Sequence, residues 1–168
     1  MFRSMASRTV KKMPKLALAV AASCHAILAA RTHIGAGSDI PDFSPLLYHS
    51  WRRANVRTVV ADAGFDSENN HRLARLDMSV RSVIPPRIGR PSSKPPAGNY
   101  RRRMYRRFAR KVDRDIYGQR PQSETVNSMM KRNFGDALRS IKPRRQKQEM
   151  LLRTLTHDLM LVANHDTG

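Results

Sequence analysis

The apolar positions fall into short runs whose period changes along the chain. Residues 15–20 (KLALAV) and 26–34 are two such runs, separated by AASCH, and predict an antiparallel pair of buried strands joined by a tight turn. Gly35-Ala36-Gly37-Ser38-Asp39 breaks that pattern. From Pro45 to Arg53, Leu46, Leu47, His49 and Trp51 sit among polar residues, which predicts a helix with an apolar stripe. Residues 56–61 (VRTVVA) give the clearest strand, β-branched and almost uncharged. It ends on Asp62, and Ala63-Gly64-Phe65-Asp66 turns the chain. Asp66 or Ser67 is placed to cap a helix reaching about Leu76, with Glu68 supporting its first turn. Val80 to Ile84 reads as another short strand. The order strand, strand, helix, strand, helix, strand predicts an α/β domain.

The second half reads differently. Pro85 to Asn99 is rich in proline, glycine and serine and predicts a linker or loop. In residues 100–114, Tyr100, Met104, Phe108 and Val112 recur at spacing four, a helix with a narrow apolar seam. Further helices are predicted over Pro121 to Lys131 and about Gln146 to Asn164, the latter burying Met150, Leu151, Leu155, Leu159 and Val162. The expected organisation is a leading segment 1–14, a sheet part 15–84, a proline-rich segment 85–99 and a helical part 100–165.

Charge sharpens this picture. The 168 residues fit one domain, and 32 Lys and Arg against 13 Asp and Glu give a net charge of +19. Such an excess predicts a polyanionic partner, most commonly nucleic acid, for a binder with or without chemistry. Eight of the fifteen residues 100–114 are basic, among them Arg101, Arg102, Arg103, Arg106, Arg107, Arg110 and Lys111. A solvated surface helix would explain them, but one sign at this density repels itself and favours contact with phosphate. The single cysteine, Cys24, excludes an internal disulfide and suits a reducing cytoplasm. Lys11 and Lys12 ahead of Leu16 to Ala30 have the look of a secretory leader, but Pro14, Lys15 and His25 fit the strand pair better. No uncharged apolar run is long enough to predict a membrane span.

Two groups of residues are suited to chemistry. Asp62 stands at the C-terminal edge of the best strand, where ligands and hard cations bind in open α/β sheets, although aspartates there more often serve the turn. Tyr117, Arg120, Glu124 and Lys131 follow at spacings of three, four and seven. Pro121 suits the first helical position and disfavours helical geometry at Arg120. Tyr117 and Arg120 are therefore expected in the entering turn, with Glu124 and Lys131 two turns apart on one face. A carboxylate flanked by cations there could serve a metal and a phosphate, or could be a surface ion pair.

These words carry a resemblance. ADAGFDSENNHRLAR, RSVIPPR, YGQRPQSETVNSMMKRNFGDALR and LLRTLTHDLMLV, in that order, resemble insertion-sequence transposases of the DDE superfamily, in the branch marked by a Tyr-Arg-Glu-Lys signature. The likeness runs from about Lys15 to Val162. It implies an RNase H-like mixed sheet with flanking helices, two divalent ions (Mg2+ or Mn2+) held by three acids, and metal-dependent cleavage and strand transfer of DNA. By motif position, Asp62 resembles the second acid and Glu124 the third. Tyr117, Arg120 and Lys131 match the signature residues expected to position Glu124 and contact phosphate. The resemblance also implies a first aspartate on a strand upstream of KLALAV. None of the fourteen residues before Lys15 is acidic, so the first strand and its aspartate are expected to be missing. Asp39 is the first aspartate in the chain and is expected to be structural. The chain alone is then expected to cleave weakly or not at all. Its expected partners are DNA and an intact copy of the transposase; the alternative is a basic nucleic-acid binder without catalysis.

Overall fold

The computed structural model describes residues 14–35, 37–87 and 95–165. Residues 1–13, Ala36, residues 88–94 of the proline-rich segment and the last three residues lie outside that range. The chain folds as a mixed α/β domain, in the element order expected. β1 (Pro14–Val20) and β2 (Ile27–Ile34) pair antiparallel, with an irregularity between Ala19 and Val20 and His25 at φ 61° in the turn. Their side chains alternate as a strand requires. Leu16, Leu18 and Val20 point to one face and pack with Val126 and Met130, whereas Ala17 and Ala19 point to the other and meet Leu46.

α1 (Ile40–Arg53) starts five residues earlier than predicted. Pro41 suits the first turn, and Pro45, where the helix was expected to begin, lies inside it beyond that turn. Its buried face is Phe43, Leu46, Leu47 and Ser50, spaced by three, one and three; Trp51, expected on the stripe, is half exposed. Asp42 in its first turn is buried and reaches Arg31 at 3.1 Å and His33 at 3.3 Å, clamping the helix to β2.

β3 (Thr58–Val60) and β4 (Arg81–Val83) pair in parallel, joined through α2 (Glu68–Arg72) and a wide π-helical turn over Leu73–Asp77. Val59, Ala61 and Phe65 pack with Phe43, Leu47, Val80 and Ile84 to form the main core. The expected mixed pairing is present, antiparallel in one pair and parallel in the other, but not as one continuous sheet. Among the described residues the strands form two separate pairs, β1 with β2 and β3 with β4, because no hydrogen bond joins β1 to β3.

The helical part is α3 (Asn99–Ala109), α4 (Arg114–Tyr117), α5 (Pro121–Phe134) and α6 (Pro143–His165). α3 ends before the predicted seam does. Lys111 adopts φ 55° and Val112 is exposed, since the chain turns there to bury Asp113 between Arg81 and Arg107. The expected burial along α6 is also corrected. Met150, Thr154 and His157 face inward, and Leu151, Leu155, Leu159 and Val162 face out. α6 lies along the free edge of β2, and an edge demands hydrogen-bonding partners more than apolar ones. Asp158 accepts the Ile27 N–H at 2.9 Å, and the His157 ring approaches the His25 carbonyl at 3.3 Å. No helix among the described residues is long and apolar enough to cross a membrane.

Candidate functional site

β3 delivers Asp62 to its C-terminal end. There the carboxylate begins a 3-10 turn over Ala63–Phe65, and its Oδ1 accepts the Gly64 N–H at 2.7 Å. Gly64 lies close under both carboxylates: a Cβ on it would stand 2.8 Å from Asp62 Oδ1 and 3.0 Å from Asp39 Oδ2. The same contact shows that Asp39 and Asp62 converge on one turn. Lys15, at the start of β1, pairs with Asp39 and ties that turn to the first strand pair.

The Oδ2 of Asp62 faces Arg120 Nη2 at 3.9 Å, and Nη1 of the same guanidinium holds Glu124 Oε1 at 2.7 Å. One arginine therefore bridges the end of β3 and the first turn of α5. Arg120 has right-handed helical backbone (φ −55°, ψ −39°), contrary to the expectation set by Pro121. Gly118 and Gln119 take up the change of direction between α4 and α5, so Arg120 enters the helix as its cap. Tyr117 stacks edge-on with Phe108 at 5.2 Å. Burial pushes its phenol up, and the charges of Asp62 and Glu124 push the same way against Arg120, which places the ring within their electrostatic reach. Lys131 is two turns further along α5, exposed, and paired with Asp136 at 3.4 Å. Asp62, Tyr117, Arg120 and Glu124 are thus brought together, and Lys131 is not.

Carboxylate oxygens suit a hard divalent cation, but a two-metal site needs more of them than stand here. No group of three His, Cys, Asp or Glu among the described residues could hold a metal, and a guanidinium lies between the two carboxylates. The donor set does not fit a pair of metal ions.

The basic helix divides its arginines between two duties. Arg101 turns inward, donating to Asp66 Oδ2 from Nε at 2.9 Å and Nη2 at 2.7 Å. Arg107 grips Asp113 at 2.6 and 2.7 Å. Arg102, Arg103, Arg106 and Arg110 line an open groove of about 520 Å³ with Arg107 on its wall. Lys111 follows at the turn and is exposed. Behind the groove, burial lowers the pKa of Arg75, and the nearby charges of Arg103, Arg81 and Arg107 lower it further.

Three acids that the sequence pattern did not single out as tertiary anchors organise this region. Asp66 also accepts the Arg87 N–H at 2.8 Å and lies 3.6 Å from His71. Burial opposes its charge, but these donors prevail and hold its pKa at about 2. Glu68 does not serve its own helix. Its carboxylate accepts the N–H groups of Asn99, Tyr100 and Arg101 at 2.9, 3.1 and 3.1 Å, capping α3 from a distance. Burial opposes ionisation there also, and the three N–H donors keep the pKa below the ordinary carboxylate value. Gly98, at φ 96°, lets this carboxylate approach, since any Cβ there would collide with it. The third is Asp113. The available signal was scarcity: with 13 acids against 32 bases, a buried acid between basic segments is a natural anchor.

The family model described as transposase DDE domain matches residues 4–159, and the chain belongs to that family. Comparison with curated proteins and with solved structures gave no match.

Proposed function

We propose that this domain binds DNA through the outer face of α3 and the start of α5. In this reading Asp62 and Glu124 are two members of a metal-dependent phosphodiester-cleaving set on an RNase H-like framework, and the chain belongs to the Tyr-Arg-Glu-Lys branch of insertion-sequence transposases. The observation that carries it is the Arg120 bridge, which gathers both carboxylates at the end of β3. Arg120 holds Glu124 in place and exposes donors to a phosphate, while Tyr117 packs behind it; Lys131 takes a phosphate two turns away. Arg102, Arg103, Arg106, Arg110 and Lys111 meet the DNA backbone, with Arg101 and Arg107 stiffening the helix that presents them.

With two carboxylates gathered, residues 1–168 hold Mg2+ or Mn2+ weakly and cleave poorly or not at all by themselves. An intact transposase in the same bacterial or archaeal cytoplasm is the natural protein partner. A second reading, a basic nucleic-acid binder without catalysis, draws support from the Gly64 N–H on Asp62, which gives that carboxylate a purely structural use.

The test is plasmid nicking in Mn2+ alongside DNA binding, with the wild-type chain, Asp62→Ala and Glu124→Ala. Binding that falls steeply with salt and is unchanged in both variants, with any nicking lost in both, supports the proposal. Nicking that survives both substitutions, or absence of DNA binding at low salt, refutes it.

A further inference from the structure

The segment between α5 and α6 is short and tightly held. Arg153 of α6 donates to the Gly135 carbonyl from Nη1 and to the Ala137 carbonyl from Nη2, both at 2.7 Å. Glu149, paired with Arg153 at 2.8 Å, accepts the Arg139 and Ser140 N–H groups at 3.0 and 2.8 Å. Those two N–H donors hold the Glu149 pKa at about 2, so the clamp stays charged near neutral pH. One ion pair thereby fixes the backbone at four points, and Pro143 restricts it again two residues beyond Ile141.

What this clamped segment presents is Ile141, 91% exposed and the most exposed large apolar side chain among the described residues. A lone apolar residue on a loose surface loop is ordinary. Here the backbone is restrained on both sides, and a β-branched side chain is itself stiff at χ1. The neighbours are cations. Arg139, Lys142, Arg144 and Arg145 are all exposed. The nearest acids along the chain are already engaged, Asp136 with Lys131 and Glu149 with Arg153. Arg144 and Arg145 also stand in the first turn of α6, which contains no acid. Cations there oppose the helix dipole, a conflict that a bound anion relieves.

We propose that Ile141 is a wedge that enters the base stack of duplex DNA, while Arg139, Lys142, Arg144 and Arg145 hold the phosphates around it. Both parts are needed. The isoleucine replaces a stacking contact with an apolar one, and the cations supply the affinity that offsets unstacking. An anionic lipid surface also attracts cations with an apolar tip, but burial there takes a whole apolar helix face rather than one side chain on a fixed loop. This inference rests on the DNA reading and adds to it a contact made by residues outside the α3 groove.

The test measures binding of the full chain to two duplexes of about 12 base pairs, one intact and one with a central abasic site, where unstacking costs less. The wild type should bind the abasic duplex about tenfold more tightly, and Ile141→Ala should bind the two alike. Ile141→Leu should keep the preference. Joint replacement of Arg144 and Arg145 by alanine should weaken binding to both duplexes and lower the salt slope by about 2, with the preference intact. Equal binding of the two duplexes by the wild type, or a preference that survives Ile141→Ala, overturns the wedge and leaves the DNA reading standing. Absence of binding to either duplex at low salt removes both. Ile141-dependent binding to phosphatidylglycerol vesicles, without any preference between duplexes, would overturn the wedge in favour of a lipid surface.

Discussion

Replacing Arg101 with alanine removes both side-chain donors from a carboxylate that has no access to solvent. The remaining donors to Asp66 are the Arg87 N–H and a His71 ring at 3.6 Å, too long for a hydrogen bond. Breaking one side of a buried pair costs about 3–5 kcal/mol. The depressed Asp66 pKa points the same way, although His71, Arg101 and the Arg87 N–H share in lowering it against the effect of burial. The Asp66 pKa is about 2 against an ordinary 3.8, which corresponds to about 2 kcal/mol of preference for the charged form. Because the folded value is depressed, that contribution is present above the unfolded pKa, near 4, and is lost as pH falls through about 2. Urea denaturation of the wild type, Arg101→Ala and Arg103→Ala at pH 7 and pH 2.5 tests this. Arg101→Ala should lose about 3 kcal/mol at pH 7 and distinctly less at pH 2.5, while Arg103→Ala stays within about 0.5 kcal/mol at both. Arg101→Lys, which keeps one donor and the charge, should fall between them and serves if the alanine variant does not fold. Equal stability of the two alanine variants at pH 7, or a deficit for Arg101→Ala that ignores pH, would refute the assignment of Arg101 to the interior.

Three other substitutions probe separate parts of the account. Gly64→Ala forces a Cβ against Asp62 Oδ1 and Asp39 Oδ2 and should destabilise by about 1–3 kcal/mol, read as a lower thermal midpoint; an unchanged midpoint contradicts the crowding described. Glu68→Gln removes the charge that caps α3 and should cost about 1 kcal/mol at pH 7, with the largest increase in hydrogen exchange at Asn99, Tyr100 and Arg101. Joint replacement of Arg103, Arg106 and Arg110 by alanine should weaken DNA binding and lower the slope of log K against log salt by about 3 without loss of stability; an unchanged slope removes the groove from the DNA surface.

The parts of the fold legible in sequence are those set by local pattern. KLALAV and VRTVVA announce strands because alternation and β-branching act within one element, and Pro121 announces the start of α5 because its ring demands an end position. The gathering of Asp62 and Glu124 was accessible only through the likeness of whole motifs, since spacing along the chain does not specify which helix meets which strand. What stayed hidden are the choices made by tertiary partners. Arg101 belongs to Asp66, 35 residues away, and nothing in a run of arginines marks the one that turns inward. The outward leucines of α6 mislead because the face turned to β2 is the one that carries Met150, Thr154 and His157, with Asp158 on the Ile27 N–H. Pro45 misleads in the opposite sense, since the helix runs through it and Pro41 supplies the proline of the first turn.

The proposed function requires Asp62 and Glu124 to face one cation-binding position, which the Arg120 guanidinium holds in this structure. The most direct measurement is Mn2+-induced broadening of amide signals in the wild type and in Arg120→Ala. The account predicts weak, simultaneous broadening around Gly64 and Glu124, strengthened in Arg120→Ala by removal of the competing guanidinium and abolished by either Asp62→Asn or Glu124→Gln. Broadening confined to one of the two segments, or unaffected by those two substitutions, would contradict it.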